Sequence, residues 1–141
     1  MSSQATTFHF ELVSPDRVLL SESAWQVVIP GEEGYFGVRA GHMSLIAAIK
    51  PGVVEVMRKE GDAPEKIFIA GGFADVTAAN CTILAEQAVN VNELDAAAIE
   101  AEIEELKQRL AIADEQAEKI QLSKKIDMAD FKLLAVQGAA A

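Results

Sequence analysis

Three glycines at intervals of three, Gly31, Gly34 and Gly37, come nearest to a chemical motif in this chain, because bare glycine amides in a tight loop can cradle a phosphate. Glu32 and Glu33 lie inside that loop and would repel an anion, and no Gly-Lys-Ser or Gly-Lys-Thr follows. The segment reads as strand, turn, strand, whereas a phosphate loop needs a helix at its end. The two histidines are the next candidates. Acid–base work by His9 or His42 would need a nucleophile or carboxylate at a recognisable spacing, and none is evident. His9 falls on the polar side of a strand pattern and is expected to be solvated; His42 falls in a turn. Glu100, Glu102, Glu104 and Glu105 would be spread around a helix rather than converge, which describes a solvated face and not a calcium site. Cys81 is the single cysteine, so neither an intrachain disulfide nor a cysteine-rich zinc site can form. Between Asn80 and Thr82-Ile83-Leu84 it reads as a buried strand residue. No catalytic residue, cofactor site or metal site is expected.

Composition narrows the partners. The chain has 141 residues, half of them hydrophobic, enough for one small domain with an appendage. Its formal net charge of −10 and pI of about 4.6 oppose any approach to nucleic acid or anionic lipid, because no basic cluster offsets the repulsion. No segment holds the roughly twenty apolar residues of a spanning helix, and Met1 to Thr7 has neither a basic start nor an apolar run. The chain is expected to be soluble by itself, with no direct membrane insertion and no transit leader. A single cysteine also fits a reducing compartment.

Around the glycines the chain is built of short segments. Phe8, Phe10 and Leu12 alternate with His9 and Glu11, a period of two that makes residues 8 to 13 a half-buried strand. Ser14-Pro15-Asp16 turns the chain. Val18 to Leu20 then leads through Ser21-Glu22-Ser23 into a strand from Trp25 to Ile29, with Trp25 in the core. Leu45 to Ile49 and Val53 to Arg58 are of strand length, and a polar turn over Lys59 to Pro64 joins the latter to Lys66 to Ala70 in a hairpin. Phe73 to Thr77 and Cys81 to Ala85 complete the set. Short strands at this spacing predict a sandwich or barrel.

Near Val91 the composition changes. Beyond it there is no proline, and no glycine before Gly138, while Ala, Glu, Leu, Lys and Gln dominate. Asn92 could cap a first helix, with Glu93 and Asp95 in its first turn. Ile99, Ile103, Leu106 and Leu110 form one stripe, and Leu122, Ile126, Ala129, Leu133 and Val136 form another. The first stripe carried forward through Ala113, Ala117 and Ile120 meets Lys124 and Asp127, so the two cannot share one straight face. Two helices folded against each other resolve this, with Asp114 as a candidate cap for the second and Glu115 and Glu118 in its first turn. The expected architecture is α+β: an antiparallel β-sandwich or flattened barrel over residues 1–90, then an antiparallel two-helix hairpin over 91–141.

An ordered set of motifs runs through this frame. Glu33-Gly34-Tyr35-Phe36-Gly37, Gly41-His42 and Ala48-Ile49-Lys50-Pro51-Gly52 are followed by Ile67-Phe-Ile-Ala-Gly-Gly-Phe73, Asn80-Cys-Thr-Ile-Leu-Ala85 and the alanine-rich helices. The chain thereby resembles the epsilon subunit of bacterial F-type ATP synthases over nearly its whole length. The resemblance implies a rotor part without catalytic residues of its own, on the cytoplasmic face of the inner membrane. Its first domain would pack on the gamma subunit and the c-ring, and its hairpin would reach the alpha and beta subunits when extended. By position, Glu33, Tyr35 and His42 fall in loops that the family turns toward gamma and the ring. The lack of a basic, serine-rich leader favours a bacterial source. Some relatives bind ATP through an Ile/Leu-Asp-x-x-Arg-Ala motif; here Leu94-Asp95-Ala96-Ala97-Ala98-Ile99 replaces both the arginine and the alanine after it, so no ATP binding is expected. Apart from the resemblance, a second reading stands equally: a free-standing β-barrel binding module whose hairpin dimerises through Leu106 and Leu133.

Overall fold

A computed structural model describes residues 6–140, with the side chains of 139 and 140 left aside. Most of the leader reading, which concerns residues 1–7, falls outside the described residues. The chain divides into two compact units, Met1–Asn90 and Val91–Ala141.

The first unit is built from ten strands among the described residues: β1 Phe8–Val13, β2 Val18–Ala24, β3 Gln26–Gly31, β4 Gly34–Val38, β5 Leu45–Ile49, β6 Gly52–Met57, β7 Glu65–Ile69, β8 Gly72–Val76, β9 Asn80–Ala85 and β10 Ala88–Asn90. They pair along one path, β10-β7-β6-β3-β5-β8-β9-β1-β2, with β4 added to β3. The path curls so that β2 comes beside the end of β6 and the start of β7. Arg58, just past β6, reaches Glu22 of β2 (Nε to Oε2, 2.5 Å) and Glu65 of β7 (Nη2 to Oε1, 2.5 Å), and Trp25 N–H donates to Met57 O at 2.8 Å. Glu22 Oε2 is buried with no well-directed hydrogen bond, so the Arg58 charge compensates it. Inward positions alternate as the period of two demands. Phe8, Phe10 and Leu12 are 4, 0 and 1% exposed and join Val27, Ile29, Val54, Val76 and Ile83 in one core. Each such side chain contributes about 1.5–3 kcal/mol on burial.

Four details depart from the pattern reading. Ser21 to Ser23 continue β2 instead of leading out of it, and the chain bends only at Trp25, which is half-buried beneath the Arg39 guanidinium, 4.1 Å from its centroid, and not in the core. An indole under a cation keeps both its apolar contacts and solvent. The sheet is not wholly antiparallel: β1 runs parallel to β9, His9 opposite Asn80 through Val13 opposite Leu84. The third departure is β10, three residues long and too short to show a period. Last, Gly72, which the sequence showed only as part of a motif, has φ of +151°, and a Cβ there would lie 1.9 Å from Leu84 O, so glycine at 72 is a requirement of close strand approach.

The second unit is a helical hairpin, α1 Ala96–Ile112 and α2 Gln116–Ala140, preceded by a 3-10 turn over Val91–Glu93. Asn92 lies in that turn and does not cap α1. The cap is Asp95, whose carboxylate accepts from Ala97 N–H at 3.0 Å and Ala98 N–H at 3.5 Å. The 3-10 turn consumes the residues that an earlier start would have used. Asp114 stands one residue too early to cap α2, which begins at Gln116 after Glu115. The two stripes meet as their phase requires. Ile99, Ile103 and Ala129 pack with Leu133 and Val136, and Leu106, Leu122 and Ile126 pack with Leu110.

Candidate functional site

Tight backbone chemistry builds the region around the glycines. Val27 to Gly31 pair with Gly34 to Val38, which leaves Glu32 and Glu33 as a two-residue turn. Gly34 holds φ of +132°, open to glycine without cost. Glu33 is exposed at the tip of this hairpin. Tyr35 stands opposite Pro30 and is 57% exposed, with the Lys50 ammonium 5.9 Å from its ring centroid. Gly52 is small because it must be: a Cβ there would come within 3.1 Å of Tyr35 Oη and nearer still to Pro30.

His42 lies beyond the other end of β4. Its backbone N–H donates to Arg39 O at 3.1 Å, its Nδ1 lies 2.7 Å from Met43 O, and the preceding Gly41, at φ of +84°, donates to Ala78 O. The structure therefore brings Glu33 and Tyr35 together and sets His42 apart by the length of β4, about 13 Å of strand.

Beside the Glu33 turn, β4 and β5 diverge, since β5 meets β3 only where Gly31 faces Ile49. The gap is a groove of about 330 Å³ lined by Gly31 to Gly34, Phe36 and Leu45 to Ala48. Its floor is apolar and its lip carries two carboxylates. Nothing in that lining can act as a nucleophile with a base. It suits a protruding side chain of a partner better than a reacting small molecule.

One constellation escaped the sequence reading. Ser21 Oγ lies 3.1 Å from His9 Nε2 and donates to Glu11 Oε2 at 3.4 Å, and Glu11 is 3.7 Å from the same Nε2. The signal was available in the pairing of β1 with β2, which sets Glu11 opposite Ser21 and His9 opposite Ser23. It is not a hydrolytic triad. Serine and carboxylate share one imidazole nitrogen, so the acid cannot orient the ring through the other, and the group lies on an open sheet face. Among the described residues no three His, Cys, Asp or Glu side chains converge to hold a metal. No described helix is long and apolar enough to cross a membrane. Cys81 is fully buried, and burial, reinforced by the Asp75 charge, pushes its thiol up to about 12.

These features define a small β-sandwich module with a helical hairpin, whose distinctive surfaces are turns and exposed apolar side chains. Residues 7–91 match the family model for the ATP synthase delta/epsilon chain β-sandwich domain, and the chain belongs to that family. It is 52% identical over 103 residues to the ATP synthase epsilon chain of Chelativorans sp. (strain BNC1), covering 73% of this chain and 76% of the relative. It is 42% identical over 135 residues to that of Brucella canis, covering 96% of each. Among solved structures it resembles a chain of the Euglena gracilis mitochondrial ATP synthase OSCP/F1/c-ring assembly, with a TM-score of 0.78 and 27% identity over 99% of this chain and 85% of that one. A chain of the Tetrahymena thermophila mitochondrial central stalk and c-ring shares the fold, with a TM-score of 0.66, 14% identity, and coverage of 96% and 99%.

Proposed function

We propose that this chain is a non-catalytic rotor subunit of a bacterial ATP synthase, peripheral on the cytoplasmic face of the membrane. In this reading it couples rotation of the c-ring and gamma subunit to ATP synthesis in other chains. The observation that carries this is the 42% identity with a bacterial epsilon chain across 96% of both chains, hairpin included. Glu33 and Tyr35 at the β3–β4 tip, and His42 at the opposite end, are its contacts with gamma and the ring. The acidic lip of the groove favours a basic side chain there. Dimerisation through the hairpin is the weaker reading, because Leu106 is 5% exposed and Leu133 packs in the same intramolecular seam. The hairpin holds no nucleotide: Asp95 is committed to capping α1, and Ala98 supplies no charge.

Co-purification tests the reading. A chain ending at Asn90 retains all ten strands of the sheet and is expected to fold and to bind a gamma–c-ring assembly. A folded fragment that fails to bind would remove the sheet unit from the coupling role.

A further inference from the structure

The loop joining β4 to β5, residues 39–44, is tied down along its length. The Arg39 guanidinium stacks on Trp25, 4.1 Å from the ring centroid. Gly41 N–H donates to Ala78 O at 2.8 Å, His42 N–H donates to Arg39 O, and His42 Nδ1 sits 2.7 Å from Met43 O. Held by these ties, the backbone has little freedom to carry its next side chain inward. That side chain is Met43, which is 84% exposed. A single exposed apolar residue is ordinary; what distinguishes this one is its chemistry.

A thioether takes an oxygen atom from a peroxide without ionising first, so its exposure governs how readily it reacts. Among the described residues the other two methionines, Met57 in β6 and Met128 in α2, are half-buried. The cysteine sulfur is shielded twice over. Cys81 is fully buried, and its thiol, pushed up to about 12, stays in the protonated form that peroxides attack poorly. A peroxide arriving from solvent therefore meets one fully presented sulfur among the described residues, and it stands next to His42.

We propose that Met43 is a reversible oxidation site whose sulfoxide releases the β4–β5 loop from the gamma subunit. Sulfur gives two electrons to hydrogen peroxide: the O–O bond breaks, one oxygen bonds to sulfur, its proton passes to the other oxygen, and water leaves. Two thiols reverse the step, joining as a disulfide while the sulfoxide oxygen departs as water. Oxidation replaces a flexible apolar end with a strong dipole that water solvates well. Covering that dipole without a hydrogen-bond partner costs affinity, so a contact that accepts the thioether rejects the sulfoxide. The release rests on the stalk-subunit reading, which makes His42 a contact; the order in which the methionines oxidise does not.

The test treats the full chain with hydrogen peroxide and reads oxidation at each methionine by peptide mass spectrometry. Met43 is expected to oxidise at least about fivefold faster than Met57 or Met128, and bound gamma subunit to slow it by a similar factor. The oxidised chain is expected to bind purified gamma tenfold or more weakly, and a methionine sulfoxide reductase supplied with a dithiol to restore binding. Met43→Leu removes the sulfur, so peroxide is expected to leave that variant at its own untreated affinity. Met43→Gln places a polar end at similar length and is expected to show the loss without peroxide, with circular dichroism confirming that it folds. Equal oxidation of all three methionines, an oxidised chain within twofold of the untreated one, or a Met43→Leu chain that loses gamma on treatment would each overturn the proposal. If gamma binds the untreated and oxidised chains alike, the stalk reading stands and the proposal falls. If the untreated chain binds no gamma, the stalk reading falls and takes the release with it, whatever the order of oxidation.

Discussion

Cys81 shows how one buried side chain links stability to pH. An unfolded thiol ionises near its ordinary value of 9.0, whereas burial, aided by Asp75, pushes this one up to about 12. Between those values the unfolded chain releases a proton that the folded chain keeps, so the stabilising contribution is complete below pH 9.0 and is lost as pH rises toward about 12. The slope is at most about 1.4 kcal/mol per pH unit. Urea unfolding of the native chain and of Cys81→Ala should therefore give stability curves that converge above pH 9; curves that stay parallel to pH 11 would dismiss the coupling. Thiol reagents should label Cys81 only as fast as the sheet opens, since the thiolate is the reactive form. The burial of this residue was legible from its apolar neighbours. The meeting of His9, Glu11 and Ser21 was not, because it depends on how two strands pair and not on spacing along either one.

The elements were read with unequal success for physical reasons. Both helical stripes were visible because a period near 3.6 persists over many residues, and their phase mismatch required the hairpin that is seen. The strand around Phe10 was visible for the same reason at period two, and those around Val54 and Ile83 by their length between turn-forming residues. What failed were boundaries decided by competition between neighbours. Asn92, Asp95 and Asp114 are all chemically competent caps, and only the 3-10 turn and the helix starts select Asp95. Its replacement in Asp95→Ala is expected to cost the hairpin about 1 kcal/mol. Thermal unfolding followed by helical circular dichroism would measure this, and an unchanged transition would show that Asp95 does not hold the helix start. Strand direction was equally hidden, since the residues of β1 and β9 fit parallel and antiparallel neighbours alike.

At the scale of the whole chain, we propose that the hairpin, when extended, brakes ATP hydrolysis, and that its own packing keeps this brake weak. Its turn, residues 113–115, holds no glycine or proline, and Ala113 leaves α1 in an extended conformation with φ of −71° and ψ of 137°. One continuous helix from about Asn92 to Val136, roughly 65 Å long, is sterically open to it. Opening would expose Ile103, Leu106, Leu110, Ile126 and Leu133, at up to roughly 1.5–3 kcal/mol each unless a partner covers them. Charge returns little: Lys119, Lys124, Lys125 and Lys132 stand against Glu118, Asp127 and Asp130, four minus three, while α1 is acidic. Deleting residues 93–141 should raise ATP hydrolysis of the assembled synthase by well under tenfold, and a release of tenfold or more would show that the extended state dominates. The parallel pairing of β1 with β9 carries a different consequence, for synthesis. Phe8 to Val13 leave the ribosome first, yet their partner strand lies at Asn80 to Ala85. Until that partner is made, one edge of β1 stays open, and its closure requires a loop of most of the sheet unit. The hairpin contacts are local by comparison and need only a short chain. The order of emergence is thus the reverse of the order of ease: β1 waits longest for its parallel partner, and its window for mispairing with another nascent copy is set by how quickly residue 85 follows residue 8.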